Sequence, residues 1–264
     1  LRKDDLIEYL NSLILVNQLS SIFQLTPSRL LLIIRQKTHI FAEKLRIVIK
    51  AVIFDMDGVI VNSEPLHRKA YNEMFKTVGI DVSNKLYESF TGQSTFSICK
   101  TLCKSFNLKN HPQELVNLKR QYFKWIFEND ADLSLIEGVQ DLIQDYYKNG
   151  LTLVLASSAS MPTINNVFTR FDLDKYFTAK HSGADLKASK PHPEIFINAA
   201  KSSGYNRNKC IVIEDSTNGI KAANSANIYC IGYKSKHSKN QDYSTANKVI
   251  ENFKEISFNE IKDL

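Results

Sequence analysis

Eight consecutive residues, Ile47-Val48-Ile49-Lys50-Ala51-Val52-Ile53-Phe54, are apolar apart from one lysine, and most are β-branched. A run that apolar on both of its faces predicts a strand covered on both sides, the place of a central strand in a parallel sheet. It stops at Asp55-Met56-Asp57-Gly58. Two carboxylates at the end of a buried strand stand where open parallel sheets collect their functional groups, at the carboxyl edge.

The pattern downstream agrees with such a sheet. Residues 65–130 read as mainly helical, with breaks near Gly79-Ile80-Asp81, Thr91-Gly92 and His111-Pro112. After Gly138 strands and helices alternate: a strand over Leu151–Ala156, a helix over Met161–Arg170 and a short strand near Phe177–His181. A helix over Pro193–Ser203, a strand over Cys210–Ile213, a helix over Asn218–Ser225 and a last strand over Ile228–Ile231 follow. This alternation predicts an α/β fold, a Rossmann-like parallel sheet with helices on both faces. The helical block between the first two strands is long enough to be a separate cap, and residues 1–45 read as a helical extension. In the extension, Leu6, Leu10 and Leu13 fall at helical spacing, with Ile7, Ile14 and Val16 widening the stripe, and Thr26-Pro27 reads as the start of a second helix reaching about Lys44.

Charge narrows the partners. Residues 1–50 hold eight Lys/Arg and four acids, a net +4 of the chain's +6, so the strand-and-motif part is nearly neutral. A nucleic-acid binder concentrates basic residues at its reading element, so no nucleic-acid partner is expected. The longest N-terminal apolar run, Leu30–Ile34, is far below the ~18–20 residues that span a bilayer, so no membrane role is expected either. Cys99, Cys103, Cys210 and Cys230 form no C-x-x-C pair and suggest free thiols in a reducing, cytoplasmic setting. The chain opens on Leu1 rather than Met; a targeting segment stays open, although Asp4, Asp5 and Glu8 fit poorly in an acid-poor transit peptide. A monomer or weak homodimer is expected.

Three predicted strands end in polar groups: Asp55 with Asp57, then Ser157, then Glu214-Asp215. Lys190 lies in the loop Ser189-Lys190-Pro191 before a helix. Carboxylates gathered at one rim repel each other, and a divalent cation relieves the conflict; an all-oxygen set points to Mg²⁺. Such a cation lets an anionic nucleophile approach an anionic phosphate. A carboxylate can then attack phosphorus, a second carboxyl two residues on can move protons, and Lys190 with Ser157 can hold the phosphoryl oxygens.

Phe54-Asp55-Met56-Asp57-Gly58-Val59 with Asn62-Ser63-Glu64-Pro65-Leu66-His67 resembles the first motif of the haloacid dehalogenase-like hydrolases, in the branch of β-phosphoglucomutase and sugar-phosphate phosphatases. Leu155-Ala156-Ser157-Ser158, Ser189-Lys190-Pro191-His192-Pro193, and Glu214-Asp215-Ser216 through Gly219-Ile220 match the later motifs in order. The resemblance spans about residues 47–235. It implies Asp55 as nucleophile and Asp57 as acid/base. It also implies a metal held by Asp55, Asp57 through its backbone carbonyl, and Asp215, with Glu214 as ligand or support. Ser157, Ser158 and Lys190 would bind phosphate, the substrate would be a small-molecule phosphate ester, and a helical cap of residues 64–135, inserted into a core of residues 46–63 and 136–264, would close over it. Gly92, Gln93 and His67 are further substrate-binding candidates in this reading.

One departure bears on the reaction. The mutase carries a phosphate-gripping arginine after a Gly-x-Ser segment; here Gly92-Gln93-Ser94 is followed by Thr95. A hydroxyl replaces a bidentate cation poorly, which favours a phosphatase over a mutase. The set Asp57, Ser157 and Lys190 suits phosphoryl transfer better than dehalogenation. A non-catalytic binding protein on the same fold is the remaining alternative. The plainer readings are a turn for Asp55–Gly58, an N-cap for Ser157, hinge packing for His67, and a surface lysine for Lys124.

Overall fold

In the computed structural model β1 (Ala51–Phe54) has no exposed side chain and lies inside a six-stranded sheet. The structure describes residues 48–262, apart from 91, 92, 131, 132, 185, 237 and 239, together with residues 11, 14, 26, 28–36 and 264. The other strands are β2 (Thr152–Ser157), β3 (Phe177–Ser182), β4 (Cys210–Glu214), β5 (Tyr229–Tyr233) and β6 (Lys248–Ile250). The order is β3-β2-β1-β4-β5-β6 and every pairing is parallel. Phe54 is level with Leu155 of β2 and Ile213 of β4. Asp55, Ala156 and Glu214 therefore follow at the same edge, and the Asp55 N–H still donates to the Ile213 carbonyl at 3.0 Å.

Helices cover both faces. On one side α7 (Glu194–Ser202) and α8 (Thr217–Ser225) press Phe196, Ala199, Ala222 and Ala223 onto Ile53, Val154 and Val212. On the other, Tyr146 of α5 (Val139–Lys148) meets the Phe54 ring at 6.2 Å. A fully buried apolar side chain of this size contributes on the order of 1.5–3 kcal/mol, so these rows hold the sheet edge, and Asp55 with it, in one place. α6 (Met161–Arg170) has the predicted bounds.

Between β1 and β2 lie α1 (Glu64–Val78), α2 (Asn84–Glu88), α3 (Thr95–Ser105) and α4 (Pro112–Asn129). They share an apolar cluster of their own, including Met74, Phe75, Leu102 and Leu115. The chain enters and leaves this block side by side: Val61 bridges Asp57 on one flank and Leu135 on the other, and the Ile136 N–H donates to Ile60 O at 2.9 Å.

Two expectations shift. The first strand begins at Ala51 rather than at 47; Lys50 keeps backbone bonds to Lys209 and Thr152, but its side chain is exposed and Val48 is 41% exposed, so the sandwich between helices starts later. A sixth strand, β6, follows the one read as last; three residues in a polar stretch are too few to display a period.

The chain divides into two compact units, Leu1–Val48 with Asp263–Leu264, and Ile49–Lys262. In the first, residues 28–36 are helical and Leu31 and Leu32 are exposed. Ile14 is a helical position, whereas Leu6, Ile7, Leu10, Leu13 and Val16 lie outside the described residues. Among the described residues no helix is long and apolar enough to cross a membrane, and all four cysteines are free.

Candidate active site

The Lys190 ammonium joins the strand ends. It donates to Asp55 Oδ1 at 2.5 Å, to Glu214 Oε1 at 2.7 Å and to the Ala156 carbonyl at 3.1 Å. It also sits 4.8 Å from the Phe196 ring centre, a cation–π contact that seals one side. Its side chain is only 6% exposed, beside 8% for Asp55 and 1% for Glu214. The Lys190–Pro191 peptide is cis.

Burial and crowding set the protonation of this cluster. Burial drives the Asp55 carboxyl up; Lys190 pulls it back, Glu214 and Asp57 push it further, and it rests at about 7. Asp215 is raised well above its ordinary value, first by burial and then by the charges of Glu214 and Asp55. Burial lowers Lys190, yet Asp55 and Glu214 outweigh it and keep the ammonium charged.

Glu214 is fully committed. Its Oε1 accepts from Lys190, and its Oε2 accepts from the Ser216 N–H at 2.8 Å and the Ser216 hydroxyl at 2.9 Å. A Cβ at Gly219, in the first turn of α8, would overlap this carboxylate, so the helix can approach only because that position is glycine.

Asp57 faces the helical block. Its Oδ1 accepts from the Ser63 hydroxyl and lies 3.5 Å from His67 Nε2. His67 Nδ1 is 2.7 Å from Lys119 Nζ. An ammonium can only donate, so Nδ1 accepts and Nε2–H points at Asp57. Burial raises Asp57, but the hydrogen bonds from His67 and Ser63 and the positive charge of Lys119 prevail, holding it below the usual carboxylate range. Lys119 is buried against Tyr71 and Phe123, and that burial pushes it down to about 8 against the opposing pull of Asp57 and Glu64.

Among the described residues no three His, Cys, Asp or Glu side chains are arranged to hold an ion. Asp57 Oδ1 is taken up by Ser63 and His67, so its backbone carbonyl is the group it could offer an ion without breaking those contacts. The charge balance still fits a dication. Three buried carboxylates, Asp55, Glu214 and Asp215, surround one ammonium, a net −2 when all are ionised. Gly58, at φ +84°, makes room beside them: a Cβ there would overlap the Asp215 carboxylate.

Ser157 is fully buried, and its hydroxyl accepts from the Ala159 N–H at 3.0 Å. It is not the N-cap of α6; that position is Ser160. Ser158 is the next residue and is exposed. Gln93 hydrogen-bonds the Ser89 carbonyl at 2.9 Å within the helical block, and Gly92 lies outside the described residues. Ser94 caps α3, and Thr95 is the first residue of that helix. Lys124 is a surface lysine, 3.9 Å from Glu128.

Sequence reading missed Lys119, Ser63 and Ser216. Lys119 had a signal: it falls on the buried stripe of α4 with Leu115, Val116, Phe123 and Ile126. A lysine at a core-facing helical position is rare without a partner.

The arrangement suits attack by a carboxylate on a phosphate ester whose charge a buried lysine offsets, and the class it defines is that of the phosphoric monoester hydrolases. Residues 52–233 match the model of the haloacid dehalogenase-like hydrolases, and the chain belongs to that family. It is 30% identical over 183 residues to hexitol phosphatase B of Escherichia coli (strain K12), covering 69% of this chain and 82% of that protein. A phosphorylated carbohydrates phosphatase of Thermotoga maritima is 29% identical over 68% of this chain and 82% of its own length. The crystal structure of β-phosphoglucomutase from Clostridium difficile superposes with a TM-score of 0.68 at 29% identity, covering 81% of this chain and 95% of that one.

Proposed function

We propose that this chain is a magnesium-dependent phosphatase of small phosphorylated metabolites, sugar phosphates foremost, acting through an aspartyl-phosphate. The observation that carries the reading is the buried Lys190 ammonium bound between Asp55 and Glu214 at one sheet edge. Lys190 and Ser157 hold the phosphoryl oxygens, and Asp55 attacks phosphorus. A new P–O bond forms to Asp55 as the ester P–O bond breaks, with Asp57 giving its proton to the leaving oxygen. Water then attacks the aspartyl-phosphate while Asp57 takes its proton, releasing inorganic phosphate. The pull of His67 and Lys119 keeps Asp57 as the carboxylate that the second step needs, so in the first step it relays to the leaving oxygen a proton that it takes up from solvent. Asp55, Asp215 and the Asp57 carbonyl would hold Mg²⁺, which supplies positive charge against the phosphoryl group when bound. Residues 64–135 would act as a cap closing over the ester, bringing His67 and Lys119 to it. The four free thiols are compatible with a reducing, cytoplasmic compartment.

The relatives include both phosphatases and a mutase. Thr95, where the mutase has arginine, favours hydrolysis. Following ³¹P signals of a hexose phosphate panel with Mg²⁺ tests this. Free phosphate is the expected product. Phosphate moving between carbons of the sugar would instead make the chain a mutase, and metal binding without any turnover would make it a binding protein.

The metal reading also predicts a pH dependence. Asp55 titrates at about 7 in the fold and near ~3.9 in an unfolded chain. Between those values the folded state holds the extra proton, so this contribution to stability is complete below the lower value and is lost as pH rises through about 7. Asp215 shifts in the same direction. A cation binds the deprotonated groups and restores what is lost. Mg²⁺ should therefore raise Tm more at about pH 8 than at about pH 5. A rise independent of pH would place the ion elsewhere.

A further inference from the structure

The stretch joining β5 to β6 closes over the loop that follows β4. The Ser238 hydroxyl donates to Asp215 Oδ2. The Tyr243 hydroxyl donates to the Asp215 backbone carbonyl at 2.9 Å. Two more bonds hold Thr217: its N–H donates to Gln241 Oε1 at 2.7 Å, and the Asp242 N–H donates to its Oγ1 at 2.7 Å. The stretch is itself anchored, because Tyr243 and Ala246 pack against the core cluster under α8. The same carboxylate oxygen also lies against Gly58, where a Cβ would overlap it and would come within 3.1 Å of Ser238 Oγ.

Asp215 therefore does not choose its own orientation. Its backbone is fixed by Tyr243, one carboxylate oxygen is fixed by Ser238, and the absence of a Cβ at Gly58 lets it sit there. Fixing one oxygen of a planar carboxylate fixes the direction of the other. Without the clasp, Asp215, crowded by the charges of Asp55 and Glu214, would have reason to turn away from them.

We propose that Ser238 and Tyr243 are positioning residues that hold the Asp215 carboxylate ready for a divalent cation, an inference that rests on the metal reading above. Neither residue lies in the recognised motifs; Ser238 is 23 positions beyond Asp215 and Tyr243 is 28. Groups of this kind typically alter metal affinity about 10–100-fold when removed.

The test measures Mn²⁺ binding by electron paramagnetic resonance on the full chain and on three variants, with melting curves recorded alongside. Ser238→Ala is expected to weaken binding about 10–100-fold, and Ser238→Thr, which keeps the hydroxyl, to restore most of it. Tyr243→Phe keeps the ring in its packing and removes only the hydroxyl, so it reads the same clasp in a chain that packs normally; a loss of about tenfold is expected. In turnover, the Mg²⁺ activation constant should rise in step while KM for p-nitrophenyl phosphate stays put, a split that general loosening would not produce. Binding within about twofold of the parent in both Ser238→Ala and Tyr243→Phe would overturn the inference and leave the metal reading intact. A parent chain that binds no Mn²⁺ would overturn both.

Discussion

Asp55→Asn is expected to lower turnover of a phosphate ester by about four orders of magnitude or more, the scale seen when an enzyme loses its nucleophile. The amide keeps the shape of the side chain but cannot form the aspartyl-phosphate. The same change should not harm the fold. Asp55 is one of three carboxylates crowded round Lys190, and it is held at about 7 by burial and by that crowding. Removing a buried negative charge from an excess of them relieves repulsion. Near pH 8 without metal, Tm should equal or exceed that of the parent. Rapid-quench labelling should show no acid-stable phosphoryl-protein. Turnover at the parental rate would end the nucleophile assignment, and a collapse in Tm would mean that Asp55 serves structure instead.

Lys190→Met is expected to fail on both counts. The ammonium makes two charged bonds and one to a carbonyl, all buried. Methionine matches its length and apolar stem, so packing against Phe196 survives while the charge goes. Removing one partner of a buried ion pair costs about 3–5 kcal/mol, because the other partner stays desolvated and unpaired. Here two carboxylates are stranded. Loss of a cation facing the transferring phosphoryl group adds about 10²–10³ in kcat. Urea melts should show the destabilisation shrinking as pH falls, since Asp55 protonates and no longer needs the lysine. A Lys190→Met chain as stable as the parent at pH 8 would contradict the geometry. Combining it with Asp55→Asn should recover part of the lost stability, because the two residues are in contact and their effects do not add.

How much of this could be read in advance differs from residue to residue. Asp55 was legible because a buried strand ended on it. Lys190 was legible only through its Pro191-His192-Pro193 context; a lone lysine before proline carries no message. Lys119 was hidden by a plain reason. A lysine in a helix is ordinarily a surface residue, as Lys124 five positions on is, yet α4 buries Lys119. Glu214 and Asp215 were read as a pair, yet the fold divides them. Glu214 turns to Lys190 and Ser216, and Asp215 turns to Ser238 and Gly58.

What the order of residues determined by itself was local: which runs are apolar on both faces, where they stop, and which polar groups stand at those stops. Those features follow from near-neighbour rules of periodicity and turn chemistry, and they were enough for an all-parallel α/β sheet with its chemistry at one edge. Tertiary structure alone decided where each carboxylate points and which cation it meets. Side-chain direction depends on neighbours more than a hundred positions away, as with Lys190 and Asp55, and buried charges settle into whatever partner desolvation leaves them.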